Sequence, residues 1–330
     1  MKILNGVSCY EVYETNFEAA RLALNYMGEN YAAPYFHGIA GSAFRIGGIC
    51  PCAPTCTLAM SPQQLLNLLG YDYDEYPYDD ADKSAAHEKM LAAVRASIDG
   101  GAPALVWNAF TECEWDIVAG YDESEKAFYG RGAYPFYAGD YGKNPWDKTL
   151  HAGASTGIMA IVIKKGGGAF IKKDAEAAAL REAVRHANDA ENADKVGGGE
   201  WVFLQGKAAY KRWADDFSNP EHKRGLGDAY CMDVYSSCHA LAGLFLRGIA
   251  PDYPDAAWML SEAADIFDLE AECLESLRPL LGWSSPESDA ERNLKASALI
   301  KKAVGHYGSA IDILSDAIEY MYYSKIYFAE

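Results

Sequence analysis

Ala104-Leu105-Val106-Trp107-Asn108-Ala109-Phe110-Thr111-Glu112-Cys113-Glu114-Trp115-Asp116-Ile117-Val118-Ala119-Gly120-Tyr121-Asp122 is the stretch on which the reading of this chain turns. It reads as two strands and a turn, because Ala104 to Phe110 and Trp115 to Tyr121 are rich in β-branched and aromatic residues. On a strand, Glu114, Asp116 and Val118 point one way and Trp115, Ile117 and Ala119 the other. Two carboxylates on one strand face, close to Glu112 and Cys113, raise each other's pKa. That suits a general acid or base lining a cleft; on a solvated edge the same pair would be harmless. Trp107-Asn108 and the Gly120 turn frame this acidic face. Glu114 is therefore a candidate catalytic residue, with Glu112 and Asp116 as candidate binding residues.

Working outward, the first half is mixed. Phe17, Ala20, Leu24 and Met27 share one helical face that ends at Gly28. A second helix is expected over about Pro62 to Leu69, closed by Gly70, and a third over about Ala85 to Ile98, closed by Gly100-Gly101. Strands follow over Ala104 to Phe110, Trp115 to Tyr121, Ala127 to Gly130 and Ile158 to Ile163. Helices first and an antiparallel sheet after them make an α+β layout. Asp72 to Asp82, rich in Tyr and Asp, reads as a surface loop. Lys164-Lys165-Gly166-Gly167-Gly168 marks a boundary, giving domains over residues 1–165 and 166–330. The second is expected to be α-helical, with Asp174 as N-cap for Ala175 to Ala187. Further helices are expected over Glu200 to Phe217, Asp228 to Arg247, Asp255 to Leu281 and Asp289 to Tyr323.

At 330 residues, two domains are the default, and the hydrophobic half of the residues can fill two cores. A net charge of −18 argues against nucleic acid, whose phosphates would be repelled. The amino terminus is too quickly polar for a secretory signal, and no apolar run approaches the roughly 20 residues of a membrane span. Eight cysteines dispersed through the chain are not the density of a disulfide-stapled secreted scaffold. The expectation is a soluble cytoplasmic protein without a membrane partner. No P-loop, dinucleotide fingerprint or His-Glu-x-x-His is present, so no cofactor is expected.

Three further groups of residues carry chemistry. Cys50-Pro51-Cys52-Ala53-Pro54-Thr55-Cys56 places three thiols within seven residues. A closed zinc site needs a fourth ligand, for which only a distant residue such as His37 is available, so the expectation is no metal, with packing or a labile disulfide instead. His37-Gly38-Ile39-Ala40-Gly41-Ser42-Ala43-Phe44-Arg45 combines small residues, which permit close backbone approach to a ligand, with Arg45, which can grip a carboxylate or phosphate or pair with an acid. Asp228, Cys231, Tyr235 and His239 follow one helical stripe. Tyr235 and His239 are candidate binding residues if the stripe faces the first domain; otherwise it is an interior polar seam.

The segment from Glu114 to Tyr121 resembles the histidine strand of papain-like cysteine peptidases, which reads His-aromatic-Val-Val-x-x-Gly-Tyr. Glu114, six residues before Gly120, stands where that strand has its general-base histidine. Together with Leu22-Ala23-Leu24-Asn25-Tyr26-Met27-Gly28, Gly38-Ile39-Ala40-Gly41-Ser42-Ala43-Phe44-Arg45 and the strand from Gly157 to Ile163, residues 5 to 165 are similar to the family named after the N-terminal domain of butirosin biosynthesis protein H. The helical half looks like the companion domain that follows it in many bacterial relatives. The resemblance implies a papain-like fold and acyl transfer from a carrier protein, hence a small-molecule or peptide substrate and an acyl carrier protein as possible partners.

It also implies a nucleophile at the start of the first long helix. Cys9 lies just ahead of that helix. Thr15 lies thirteen residues before Gly28, near the cysteine-to-glycine spacing of double-glycine leader peptidases. Thr15-Asn16-Phe17-Glu18 also reads as a capping box with Thr15 as N-cap. Asn108, or backbone amides at the helix start, would stabilise an oxyanion. Glutamate at position 114 departs from the imidazole that thiol chemistry uses. Three functions stay open: an acyl-transferring or amide-processing enzyme, a catalytically degenerate domain that binds a small molecule or peptide, and a structural or interaction protein.

Overall fold

A computed structural model describes residues 1–47, 60–133, 139–151, 157–189, 195–196, 201–202 and 204–327. Two compact units divide the chain: Met1–Ala33 with Ser61–Ile171, and Pro34–Met60 with Lys172–Glu330. The segment 34–60, expected within the first domain, thus belongs with the helices.

In the first unit, seven strands among the described residues form one antiparallel sheet: β1 (Lys2–Ile3), β2 (Asp72–Pro77), β3 (Ala104–Trp107), β4 (Trp115–Asp122), β5 (Ala127–Arg131), β6 (Gly142–Pro145) and β7 (Ile158–Lys164). Their order is β2-β7-β3-β4-β5-β6, with β1 added along β4. Trp107 pairs with Trp115 and Ala104 with Val118, so the opening stretch is a β3–β4 hairpin. β3 is shorter than expected because Asn108 turns left-handed, with φ of 61°, and ends the ladder.

Asp72–Pro77 is a strand rather than a loop. It lies at the sheet edge along β7, where Asp72, Glu75 and Pro77 are exposed and acidic residues cost little. Its Asp74 pairs with Lys164 at 2.6 Å. β1 and β6 carry no alternating apolar pattern and take their conformation from the strands beside them.

The helices of this unit are α1 (Thr15–Tyr26), α3 (Pro62–Leu68) and α4 (Lys83–Asp99). α1 is buried at every position from Thr15 to Leu24 and packs on β3 and β4, which makes it a core helix rather than an amphipathic surface one. Gly28, with φ of 107°, takes the left-handed conformation just past its end. Its N-cap is Glu14, not Thr15. The longer Glu14 carboxylate reaches Phe17 N and accepts a 2.6 Å bond from Asn16 Nδ2, while Thr15 enters the helix as its first residue. Glu18 accepts from Glu11 N at 3.0 Å and holds Arg21 at 2.7 Å.

The second unit comprises α2 (Ala33–Ile39, its first residue in the other unit), α5 (Lys172–Asn188), α6 (Gly206–Ser218), α7 (Leu226–His239), α8 (Ala242–Ile249), α9 (Ala257–Leu281) and α10 (Ala290–Tyr327), with a two-stranded ribbon of β8 (Lys195–Val196) and β9 (Trp201–Val202). α10 packs along α9, α6 and α5, and α9 also receives α7 and α8. Asp228 to Arg247 is two helices, broken at Ala240-Leu241 without glycine or proline. α5 begins at Lys172, so Asp174 lies in its first turn. Among the described residues no helix is long and apolar enough to cross a membrane.

Candidate functional site

Thr15 and Glu114 meet inside the first unit. Thr15 Oγ1 donates a short hydrogen bond to Glu114 Oε2, and the two residues are 0% and 1% exposed. α1 brings the threonine as its first residue; the tight turn before β4 brings the glutamate, fixed by the bond from Asn108 N to the Glu114 carbonyl at 2.8 Å. A hydroxyl at a helix N-terminus bonded to a carboxylate is an arrangement through which a carboxylate can take an alcohol's proton.

Asp116 lies on the same strand face and is fully buried. Its Oδ2 accepts from the backbone N–H groups of Phe110 at 2.6 Å and Thr111 at 2.8 Å, while Oδ1 has no hydrogen-bond partner among the described residues. Burial pushes its pKa up to about 7, against the opposing pull of those backbone bonds and of Thr111 and Ala133. Asp116 therefore braces the turn between β3 and β4, and does so partly protonated near neutrality. Tyr10, half-buried, donates to the Trp115 carbonyl at 2.7 Å. Burial, then the charges of Asp116, Glu18 and Glu114, hold its phenol well above the ordinary tyrosine range. Nothing in the local sequence singles Tyr10 out; only the fold sets it beside these acids.

The other expected residues take varied places. Cys9 is a half-buried thiol in the loop ahead of α1. Asn108 serves the turn: its Oδ1 accepts from Cys113 N at 3.0 Å and its Nδ2 donates to the Lys148 carbonyl at 3.0 Å. Cys113 is left-handed like Asn108, with φ of 58°, and Glu112 beside it is exposed at the tip. The Cys50, Cys52 and Cys56 cluster lies outside the described residues. No group of three or more His, Cys, Asp or Glu arranged to hold a metal ion occurs among the described residues.

Arg45, Tyr235 and His239 come together in the second unit. His239 is fully buried, with Nδ1 2.8 Å from Glu270 Oε1 and Nε2 2.6 Å from the Arg45 carbonyl oxygen. Tyr210 donates a short bond to the same Glu270 oxygen, and Tyr235 donates one to the Gly47 carbonyl. Asp228, at the other end of the stripe, accepts from Trp213 Nε1 at 3.0 Å and Gly225 N at 2.7 Å. Gly38 serves close packing here, since a β-carbon on it would lie 2.2 Å from the Phe245 ring. Glu270, Tyr210 and Tyr307 were not expected at this cluster: they are far apart in the chain and their spacing carries no local signal.

No protein-family model and no curated protein sequence matches this chain.

Proposed function

We propose that the first unit is a papain-like domain, related to the butirosin biosynthesis H family, that transfers an acyl group or cleaves an amide in a small molecule or peptide. The observation that supports this reading is the hydrogen bond from Thr15 Oγ1 to Glu114 at the N-terminus of α1. It joins the two positions at which the resemblance implies a nucleophile and a base. In the proposed step the Thr15 hydroxyl proton passes to Glu114 as Oγ1 attacks the substrate carbonyl. The leaving amine or thiol then recovers that proton, and an ester remains on Thr15 until an acceptor attacks it. The helix terminus offers backbone N–H groups for the oxyanion, since Asn108 is committed to its turn. A carrier-bound thioester is a suitable donor class.

A second reading has its own support. Thr15 and Glu114 are sealed from solvent, which suits a degenerate domain that binds without chemistry. An acylating β-lactone probe on the full chain separates the two. The enzyme reading expects an ester on Thr15 by peptide mapping, absent in Thr15→Ala and at least tenfold slower in Glu114→Gln. A chain that stays unlabelled at Thr15 overturns it in favour of the second reading, and labelling at Cys9 instead moves the nucleophile there.

A further inference from the structure

The helices of the second unit hold the run Phe44–Gly47 largely by side chains. Tyr307 donates to the Phe44 carbonyl at 2.9 Å, and His239 contacts that of Arg45. His186 Nε2 lies 2.9 Å from the Ile46 carbonyl, which also accepts from Gly206 N at 2.8 Å. Gly47 N donates to the Tyr235 hydroxyl at 2.9 Å. Contacts of this kind read main chain rather than side chain, so they fasten a segment in place.

Proton accounting at His239 is decisive for the fastening. Both ring nitrogens face acceptors: a carboxylate oxygen at Nδ1 and a backbone carbonyl at Nε2. A carbonyl cannot donate, so Nε2 carries a hydrogen. A neutral imidazole has one N–H and cannot then also donate at Nδ1. The His239–Glu270 pair therefore holds one proton more than an imidazole and a carboxylate together. We propose that this extra proton resides on His239 as a buried imidazolium, ion-paired to Glu270, and that it fastens Phe44–Gly47 to the helical unit in a pH-sensitive way. When the proton leaves, His239 keeps one of its two hydrogen bonds and the brace between α7, α9 and the segment opens.

The surroundings favour the charged form. Burial opposes it, but the Glu270 charge and hydrogen bond, then the bond to the Arg45 carbonyl, outweigh burial and the repulsion of the Arg45 guanidinium, leaving the pKa raised. Tyr210 on α6 and Tyr307 on α10 are held well above the ordinary tyrosine range, by burial and then by the charge of Glu270, so they stay hydroxyl donors. Tyr235 shares α7 with His239 and is bonded to Gly47. His186 on α5 is pushed down to about 4 by burial, so it faces the segment as a neutral ring.

Histidine-labelled full-length protein tests this by side-chain nitrogen NMR, with His239 assigned by the signal lost in His239→Asn. The expected result is that both ring nitrogens are protonated at pH 7 and titrate above the ordinary histidine value of about 6.5. Hydrogen-exchange protection of the Ile46 and Gly47 amides, corrected for intrinsic rates, should fall at least tenfold through the same midpoint. Glu270→Gln should lower that midpoint by more than one pH unit. A neutral ring at pH 7, or protection that does not follow the titration, overturns the proposal. Should Glu270→Gln fail to fold, the wild-type titration still decides.

Discussion

The two units solve one problem in opposite ways. Each buries carboxylates, and burying a charge is costly unless it is paired. In the helical unit Glu270 has an imidazole and a phenol against it, an acid facing a base. In the sheet unit Glu14, Glu114 and Asp116 are met by hydroxyl, amide and backbone N–H groups, and Glu18 by the buried guanidinium of Arg21. The lesson is that the first arrangement stores a proton between two partners, whereas at Asp116 burial outweighs the backbone bonds and shifts the carboxyl toward its neutral form.

The largest effect should come from breaking the paired side. His239→Ala leaves Glu270 buried without its counter-charge and should cost about 3–5 kcal/mol in denaturant unfolding. A loss below 1 kcal/mol would show that the pair is not held as an ion pair. Its pH signature follows from the raised pKa: the contribution is complete below about 6.5, where folded and unfolded chains both hold the proton. It is lost as the pH rises through the folded value.

Asp116→Asn sharpens the contrast on the other side. Folded Asp116 keeps its proton up to about pH 7, whereas an unfolded aspartate loses it near 3.9. Between those values the native state binds more protons, so stability falls as pH rises and levels off above 7. The asparagine retains an oxygen for the Phe110 and Thr111 N–H groups and should flatten that slope, worth up to ~4 kcal/mol across the window. An unchanged slope in unfolding measured from pH 4 to 7 would assign it to another group.

The smallest effect is expected at Thr15. Thr15→Val keeps shape but removes the hydroxyl that donates to Glu114, at a cost of about 1–3 kcal/mol by thermal unfolding. Thr15→Ser should restore most of that. If serine and valine behave alike, the hydroxyl contributes nothing and does not stabilise the buried Glu114 carboxylate.

Much of the frame was legible because local rules govern it. Gly28, Gly70 and Gly101 stop helices, each with positive φ, and the β3–β4 hairpin forms where β-branched and aromatic residues gather. Where neighbours rather than local pattern decide, the reading failed. β6 has the sequence Gly-Lys-Asn-Pro and is a strand only because β5 lies beside it. The α1 cap shifted by one residue because the Thr15 hydroxyl is drawn to a carboxylate 99 positions away. At the candidate site, Glu114 and Thr15 were visible as separate candidates, and the fold alone brings them together. Glu270 could not be named from sequence, since its partner lies 31 residues upstream on another helix.

The chain path through segment 34–60 sets a timetable for the nascent protein. The first unit needs residues on both sides of that segment, 1–33 and 61–171, whereas the segment belongs with helices made later. The Phe44 carbonyl meets Tyr307 across 263 positions of sequence. At roughly 5–20 residues per second, ribosomes leave that carbonyl waiting on the order of ten seconds to a minute for its partner. Through that interval Phe44 and Ile46, both fully buried in the finished protein, lack their final cover.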